Sequence, residues 1–246
     1  MKKVLIIGVT SAIAEHCARI WATRGYELYL VGRNEERVQA IAADLKVRGA
    51  AQVDSHCIDL NEMDYHAALL NSAESTMNGI DTVLIAHGTL SNQKLCEQSI
   101  EEMLAEIRTN ALSTISLLTL IANRFEAKQA GTIAILSSVA GDRGRATNYV
   151  YGSAKAMITA FTSGLRQRLH KSSVAVVTIK PGFVDTPMTA EFKKGLLWTK
   201  PSSVARTITK AIDKRKDEVY APAYWWGIML LINSIPTKLF KRLTKK

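Results

Sequence analysis

Residues 4–14 read Val4-Leu5-Ile6-Ile7-Gly8-Val9-Thr10-Ser11-Ala12-Ile13-Ala14, an apolar run followed by a turn of small residues. The apolar run predicts a short buried strand, and apolar residues at helical spacing over 12–23 predict a helix directly after it. Gly8 permits a tight turn between the two, and the helix amino terminus offers unpaired N–H groups and a positive dipole. The stretch therefore favours an α/β fold with a turn that can bind a pyrophosphate, although a strand-to-helix turn needs such residues for capping alone.

The same alternation of strand and helix continues along the chain. Further buried strands are predicted at 28–31, 53–58, 83–85, 132–136 and 174–179, with an edge strand at 217–220, and helices at 35–46, 65–77, 100–127 and 150–169. Repeated units of this kind predict a doubly wound parallel sheet of Rossmann type, covered by helices on both faces. We expect one catalytic domain over residues 1–222 and a C-terminal amphipathic extension over residues 223–246.

The composition is that of a folded protein, with 47% hydrophobic and 22% charged residues. Cys17, Cys57 and Cys96 are scattered without metal-ligand spacing, so we expect neither a disulfide framework nor a metal site. The first apolar run stops at Gly8, too early for a signal peptide, and no stretch approaches the ~20 apolar residues of a membrane-spanning helix. These features together predict a cytoplasmic protein.

The formal net charge of +10 is concentrated at the carboxyl end of the chain. Residues 191–246 hold 13 Lys and Arg against 4 Asp and Glu, whereas residues 1–190 hold 19 against 18. A basic segment of this kind can attract nucleic acid or an anionic membrane surface. Because no recognised nucleic-acid-binding module accompanies it, we expect no nucleic-acid partner.

Arg33 follows the second predicted strand, where an acidic residue would bind the ribose 2′-hydroxyl of NAD. Gly32 stands in that place, and the neighbouring guanidinium can bind a 2′-phosphate, which favours NADP(H). The alternative for Arg33 is a solvated arginine at a loop. Asp59, after the third strand, can accept a hydrogen bond from the adenine amino group or cap the helix that starts near Asn61, and the sequence leaves both open.

Tyr151 and Lys155 stand four residues apart in a predicted helix, so their side chains lie on one helical face. A phenol with a pKa near ~10 is a poor acid–base catalyst at neutral pH, and a nearby ammonium favours the phenolate. Tyr151 can then exchange a proton with a substrate oxygen, and Ser138, after the fifth strand, can donate to the same oxygen. A Tyr-x-x-x-Lys pair is common on ordinary helices, so other motifs must decide whether this pair is catalytic.

Three motifs read together resemble the short-chain dehydrogenase/reductase family, over roughly residues 3–220. They are Ser137-Ser138-Val139-Ala140-Gly141, Tyr151-Gly152-Ser153-Ala154-Lys155 and Pro181-Gly182-Phe183-Val184-Asp185-Thr186. The resemblance implies catalysis by Ser138, Tyr151 and Lys155, with Asn110 holding a water in the proton relay and Thr186 at the nicotinamide carboxamide. It implies an NADP(H)-dependent oxidoreductase that interconverts a carbonyl and an alcohol, and a homo-oligomer, either a dimer or a tetramer. The cofactor contacts expected at the strand ends are Gly8, Thr10, Ser11, Ala12, Ile13, Arg33, Asp59, Leu60, Gly88, Tyr151, Lys155, Pro181, Val184 and Thr186.

Two stretches depart from the family pattern. Ala12 and Ala14 replace glycines of the phosphate-binding turn, and Ile85-Ala86-His87-Gly88 stands in place of Asn-Asn-Ala-Gly. An added methyl group is tolerated where the backbone does not need a positive φ, so the two alanines predict ordinary backbone angles. We interpret His87 as a structural replacement, because no other residue in the pattern pairs with it.

The C-terminal segment carries apolar residues at helical spacing and a cluster of basic residues. The apolar residues are Trp225, Ile228, Met229, Ile232, Ile235, Leu239 and Leu243, and the basic ones are Lys238, Lys241, Arg242, Lys245 and Lys246. Such a helix, bent at Pro236, can lie in a membrane interface with Trp225, Ile228, Met229 and Ile232 buried in lipid. It can equally pack on its own domain or across a dimer interface.

This ending is loosely similar to that of bacterial short-chain reductases that act on lipid-linked sugars. The similarity implies a hydrophobic or lipid-linked substrate, presented near the inner membrane surface. Two alternatives stay open, namely reduction of a soluble 3-oxoacyl thioester or small ketone, and a non-catalytic nucleotide-binding regulatory protein.

Overall fold

Seven parallel strands form the centre of the structure, a computed structural model that describes residues 1–243. The strands are β1 (Lys3–Ile7), β2 (Glu27–Gly32), β3 (Gln52–Cys57), β4 (Thr82–Ile85), β5 (Gly131–Leu136), β6 (Val174–Pro181) and β7 (Glu218–Ala221). Their order across the sheet is β3-β2-β1-β4-β5-β6-β7. The chain crosses from the β3 edge back to β4 beside β1, so the winding reverses there. A crevice for a ligand lies at such a reversal, beyond the carboxyl ends of the strands.

Helices cover both faces of this sheet. They are α1 (Ala12–Ala22), α2 (Glu35–Val47), α3 (His66–Met77), α4 (Gln93–Gln98), α5 (Ile100–Ile107), α6 (Ser113–Lys128), α7 (Tyr149–Leu169), α8 (Pro201–Asp213), α9 (Tyr224–Ser234) and α10 (Thr237–Phe240). In β1, Val4 and Ile6 belong to the core shared with α1, α2 and α8, whereas Leu5 and Ile7 belong to the core shared with α3, α6 and α7. A strand buried on both faces explains why its sequence is continuously apolar.

The predicted sheet is confirmed, with each strand within a residue or two of its expected bounds. The single helix predicted over 100–127 is instead α5, a π-helical turn over Arg108–Leu112, and α6. In this turn the Asn110 side chain donates to the carbonyl of Glu106, 3.3 Å away, which is the acceptor that a regular α-helix would use for the Asn110 backbone N–H. In the π-helical turn, the side chain of Asn110 therefore occupies a backbone acceptor of the helix, and Asn110 itself lines the cleft.

The C-terminal segment forms two short helices rather than one bent helix. Helix α9 ends at Ser234, and Ile235 has an extended backbone directly before Pro236. A residue that precedes proline is disfavoured in the helical region, so Pro236 ends the helix. No helix among residues 1–243 is both long enough and apolar enough to cross a bilayer.

Helix α9 packs on the domain with the face that was predicted to enter lipid. Trp225 and Met229 are 2% and 0% exposed and contact Val139, with Ile228 and Ile232 packed around them. The prediction that these side chains insert into lipid is therefore wrong, because the domain offers them a closer apolar partner. Trp226, Leu230 and Leu231 on the other face remain exposed. Lys245 and Lys246 lie outside the described residues.

Candidate active site

A cleft of about 880 Å³ opens beyond the carboxyl ends of the strands. Every residue predicted from the sequence to bind the cofactor or to take part in catalysis lines this cleft. These residues are Gly8, Thr10, Ser11, Ala12, Ile13, Arg33, Asp59, Leu60, Gly88, Asn110, Ser138, Tyr151, Lys155, Pro181, Val184 and Thr186. The topology thus brings together side chains that are far apart in the sequence.

The turn after β1 has the backbone of an anion-binding turn. Gly8 has a φ of +83°, and a Cβ atom there would lie 2.4 Å from the backbone nitrogen of His87. Helix α1 begins at Ala12, and the N–H groups of its first turn have no partners within the helix. Neither Ala12 nor Ala14 has a positive φ, and Ala14 is fully buried in the core. The replaced glycines therefore cause no backbone strain, and the turn fits a pyrophosphate.

Two arginines stand at the β2 end of the cleft. Nη1 of Arg33 lies 3.7 Å from Oδ2 of Asp59, and the Arg33 side chain is 76% exposed. Arg37, which the sequence argument did not single out, donates from Nη2 to the carbonyl of Thr10 over 3.2 Å. It lies in the first turn of α2, four residues after Arg33 in the sequence. A Cβ atom at Gly32 would lie 2.7 Å from Cγ2 of Val38, so an acidic side chain does not fit there without rearrangement.

Ser138, Tyr151 and Lys155 meet at the floor of the cleft. Oγ of Ser138 accepts a hydrogen bond from the backbone N–H of Ala140 over 3.1 Å, which holds the turn after β5. Nζ of Lys155 lies 5.6 Å from the centre of the Tyr151 ring and donates to the carbonyl of Leu136 over 3.3 Å. The helical spacing of Tyr151 and Lys155 therefore places both side chains on the face of α7 that lines the cleft.

Burial controls the pKa values of this pair. It raises the pKa of the Tyr151 phenol to about 12, a rise that the Ser138 hydroxyl opposes and Glu106 reinforces. Burial also lowers the pKa of Lys155 to about 8, against the opposing influence of Glu106. The expected lowering of the Tyr151 pKa by Lys155 is not found, because the loss of solvation penalises the phenolate more strongly. Tyr151 is therefore protonated at neutral pH and able to donate.

Gly88 separates the side chains of Asn110 and Lys155. A Cβ atom at Gly88 would lie 2.5 Å from Oδ1 of Asn110 and 3.4 Å from Nζ of Lys155. Asn110 is fully buried, accepts a hydrogen bond from the N–H of Thr89 over 3.2 Å and donates to the Thr89 hydroxyl over 3.0 Å. The loop after β4 is thus held against Asn110 at the point where its backbone passes Lys155.

Glu106 is a buried carboxylate that the sequence argument missed. It is 4% exposed, and it accepts hydrogen bonds from the Thr89 hydroxyl at 2.8 Å and from the N–H of Ser91 at 3.3 Å. Its charge acts on both Tyr151 and Lys155. A glutamate four residues before Asn110 was the available signal, but only the fold shows that its charge acts on Tyr151 and Lys155.

One ring nitrogen of His87 has a hydrogen-bond partner, and the other has none among residues 1–243. Nε2 lies 3.1 Å from the Ser113 hydroxyl, which gives its own proton to the carbonyl of Leu60, so Nε2 carries the proton of the ring. Nδ1 is buried with no hydrogen-bond partner among residues 1–243. Burial, followed by the charge of Lys155, lowers the pKa of His87 to about 3, so the ring is neutral. The contact with Ser113 agrees with a structural role.

The first turn of α9 packs against residues that form the wall on the other side of the cleft. The Trp225 indole lies against Gly182, where a Cβ atom would be 1.8 Å from Nε1. The ring centres of Phe183 and Trp225 are 5.0 Å apart, and those of Phe183 and Trp198 are 5.4 Å apart. Phe183, Phe192 and Trp198 all line the cleft. Nothing in the sequence pattern connects the C-terminal segment with the residues of this wall.

Comparison with known proteins agrees with this geometry. The family model for short chain dehydrogenases matches residues 2–196. An uncharacterized oxidoreductase of Mycobacterium tuberculosis is 31% identical over 98% of this chain and 97% of its own length. Another, from Streptomyces coelicolor, is 29% identical over 98% of this chain and 96% of its own. The solved structure of ElxO with NADP bound superposes with a TM-score of 0.80 at 19% identity, covering 90% of this chain and 97% of that one, and it bears on the fold alone. The chain belongs to the short-chain dehydrogenase family of oxidoreductases.

Proposed function

We propose that the protein is an NADP(H)-dependent oxidoreductase that interconverts a carbonyl and an alcohol on a hydrophobic or lipid-linked substrate. The observation that carries the proposal is the convergence of Ser138, Tyr151 and Lys155 at the floor of the cleft, beside Asn110. Membership of the short-chain dehydrogenase family supports this reaction class. The intact catalytic set argues against a purely regulatory nucleotide-binding protein.

The residues of the cleft suit NADP(H). The N–H groups of Ala12 and Ile13 at the start of α1 would hold the pyrophosphate, and Arg33 and Arg37 would hold the 2′-phosphate. The adenine would lie beside Asp59 and Leu60. The nicotinamide ribose would lie beside Gly88, Tyr151 and Lys155. The nicotinamide itself would lie beside Pro181, Val184 and Thr186. NADP in the solved structure of ElxO supports this choice of cofactor.

The chain's own residues would manage the proton. NADPH, when bound, supplies the hydride to the carbonyl carbon. Tyr151 donates its phenolic proton to the carbonyl oxygen, and the Ser138 hydroxyl donates a hydrogen bond to the same oxygen, which stabilises its developing charge. Lys155 in its ammonium form returns a proton to Tyr151, and Asn110 holds the water through which Lys155 is reprotonated. A protonated Tyr151 is the form that reduction requires.

The surroundings of the cleft support a hydrophobic substrate near a membrane surface. Phe183, Phe192 and Trp198 offer apolar rings inside the cleft, and the exposed face of α9 presents Trp226 and Leu231. We place the catalytic domain at residues 1–222 and treat residues 223–246 as an extension whose helix α9 packs behind that aromatic wall. Contact with the inner membrane surface from the cytoplasm, and assembly as a homodimer or homotetramer, are part of the same proposal.

Replacing Tyr151 tests the function. Extracts of lipids and small metabolites, incubated with the protein and NADPH, should reveal a compound that is consumed as NADPH is oxidised. With that compound, Tyr151→Phe should lower kcat by at least ~10²-fold because the general acid is lost. Its NADPH affinity, measured by fluorescence titration, and its Tm should stay those of the wild type. Turnover by Tyr151→Phe at the wild-type rate would contradict the mechanism.

A further inference from the structure

The lining of the cleft is strongly basic. Its charged residues are Arg33, Arg37, Arg145, Lys155 and Lys193 on the basic side and Asp59 on the acidic side. The proposed cofactor accounts for Arg33 and Arg37, and the proposed reaction accounts for Lys155. Arg145 and Lys193 remain, and neither has a role in the family motifs of the sequence.

Arg145 lies in the segment that connects the turn of Ser138 to helix α7. Its Nη2 donates to Sδ of Met229 over 3.4 Å, so the guanidinium faces the side of the cleft where α9 packs. Met229 and Trp225 belong to one buried cluster, and Trp225 contacts the ring of Phe183. Arg145 therefore stands on the substrate side of the cleft, beside its aromatic wall.

The charge of Arg145 has no carboxylate partner within ion-pair distance among residues 1–243. Asp142 is the one carboxylate whose charge acts on it, but Asp142 lies 2.8 Å from Nζ of Lys180 and accepts a hydrogen bond from the Tyr220 hydroxyl at 2.8 Å. Burial lowers the pKa of Arg145, yet an arginine stays charged in proteins. A partly buried charge without a counter-charge is unfavourable unless a ligand compensates it.

The neighbouring Arg143, in the same segment, has hydrogen-bond acceptors and an aromatic ring as partners within the protein. Its Nη1 donates to the carbonyls of Ile232 and Asn233, and its guanidinium lies 4.2 Å from the centre of the Phe240 ring. Arg143 does not line the cleft. Arg143 thus holds the C-terminal segment in place, whereas Arg145 offers its remaining donors to the cleft.

We propose that Arg145 binds an anionic group of the substrate, a phosphate or a carboxylate, while Phe183, Phe192 and Trp198 contact an apolar part. The guanidinium fork matches both anions through paired hydrogen bonds. Lys193, exposed at the edge of the cleft, adds to the positive potential there. The inference rests on the proposed function only in taking this side of the cleft as the substrate side.

Binding of simple probes tests the inference without knowledge of the substrate. We would titrate octyl phosphate, octanoate, octyl glucoside and inorganic phosphate by calorimetry into the protein saturated with NADP⁺, so that the phosphate subsites of the cofactor are filled. Arg145→Gln should weaken the binding of octyl phosphate or octanoate about 10- to 100-fold, because a charge-assisted hydrogen bond is lost. Arg145→Lys should show a smaller loss, and octyl glucoside should bind both variants as it binds the wild type.

Arg108→Gln is the matched control, because Arg108 is exposed and outside the cleft. Equal losses in Arg108→Gln and Arg145→Gln would overturn the inference, as would undiminished binding of both anions to Arg145→Gln or no binding to the wild type. Tighter binding of octyl phosphate than of inorganic phosphate would support the contact of an apolar part with the aromatic side chains, and equal binding would overturn that contact. NADP⁺ affinity, measured first, separates this result from a failure of the proposed function.

Discussion

Tyr151 and Lys155 are affected by burial in opposite directions. Loss of solvation disfavours the charged form of each group, so the pKa of the phenol rises to about 12 and that of the ammonium falls to about 8. The phenol is kept as a donor, while the ammonium is brought close to the pH at which it can release a proton. Glu106 is the carboxylate whose charge opposes the second effect, and Thr89 and Ser91 hold it in place.

These shifts predict the pH dependence of reduction. In the proposed mechanism, reduction needs the ammonium form of Lys155, so kcat should be constant at lower pH and fall as the pH rises through about 8. Glu106→Gln removes a charge that raises the pKa of Lys155, so the fall should move to lower pH. Glu106→Asp keeps the charge and should restore most of the wild-type profile. Identical profiles for Glu106→Gln and the wild type would show that Glu106 has only a structural role.

The choice of cofactor is a second prediction at the residue scale. Arg33→Ala should weaken NADPH binding about tenfold, because charge-assisted hydrogen bonds to the 2′-phosphate are lost, and should leave NADH binding unchanged. The effect should shrink at high salt, since Arg33 is largely exposed. Fluorescence titration of both cofactors measures it. Equal affinity of the wild type for NADPH and NADH would remove the basis for assigning Arg33 to the phosphate.

At the scale of elements, helix α9 has one face committed to the domain and one face exposed. Trp225 fills the space over Gly182, and Trp226, the next residue, is 60% exposed. The two tryptophans differ in environment but hardly in sequence position. They therefore form a matched pair for measuring what the contact of α9 with the domain contributes.

Trp225→Ala should lower the free energy of unfolding by about 3–5 kcal/mol, as expected when a large buried aromatic side chain is removed. Trp226→Ala should change it by less than about 0.5 kcal/mol, because an exposed side chain is lost. Urea denaturation followed by circular dichroism measures both values. Equal effects of the two substitutions would mean that α9 does not pack on the domain as described.

At the scale of the whole molecule, the exposed apolar residues of α9 and the basic residues of the C-terminal segment lie on one extension. A membrane contact would therefore use Trp226, Leu230 and Leu231 rather than the buried face. Removing the whole extension is a poor test, since it also removes Trp225 and Met229 from the core. Substitution of exposed residues separates membrane binding from stability.

The wild type should sediment with vesicles that contain anionic lipid, and less so at high salt, since each basic residue near the surface contributes about 1 kcal/mol. The double variant Trp226→Ser, Leu231→Ser should lose most of this binding while keeping its Tm and NADPH affinity. Size-exclusion chromatography of both proteins shows whether the same face holds subunits together. A variant that becomes smaller in solution, without any change in vesicle binding, would assign the face to a subunit interface.

Local regularities in the sequence determined much of this protein. Strands buried on both faces must be continuously apolar, so their number and bounds could be predicted from short runs such as Val4–Ile7. The spacing of Tyr151 and Lys155 is a property of one helix, and the turn at Gly8 is a property of one strand–helix connection. Each of these follows from interactions between residues close together in the chain.

Tertiary structure decided everything that depends on which elements meet. The apolar face of α9 has a sequence pattern that fits burial in lipid as well as burial against protein. Only the packing of Trp225 on Gly182 showed that the domain covers this face. Thr89, in the loop after β4, holds Glu106 where its charge acts on Tyr151 and Lys155. Arg145 has no counter-charge among residues 1–243 because Asp142 is bound to Lys180. Such contacts join residues that are distant in sequence, so their energies depend on burial and geometry that no local pattern encodes.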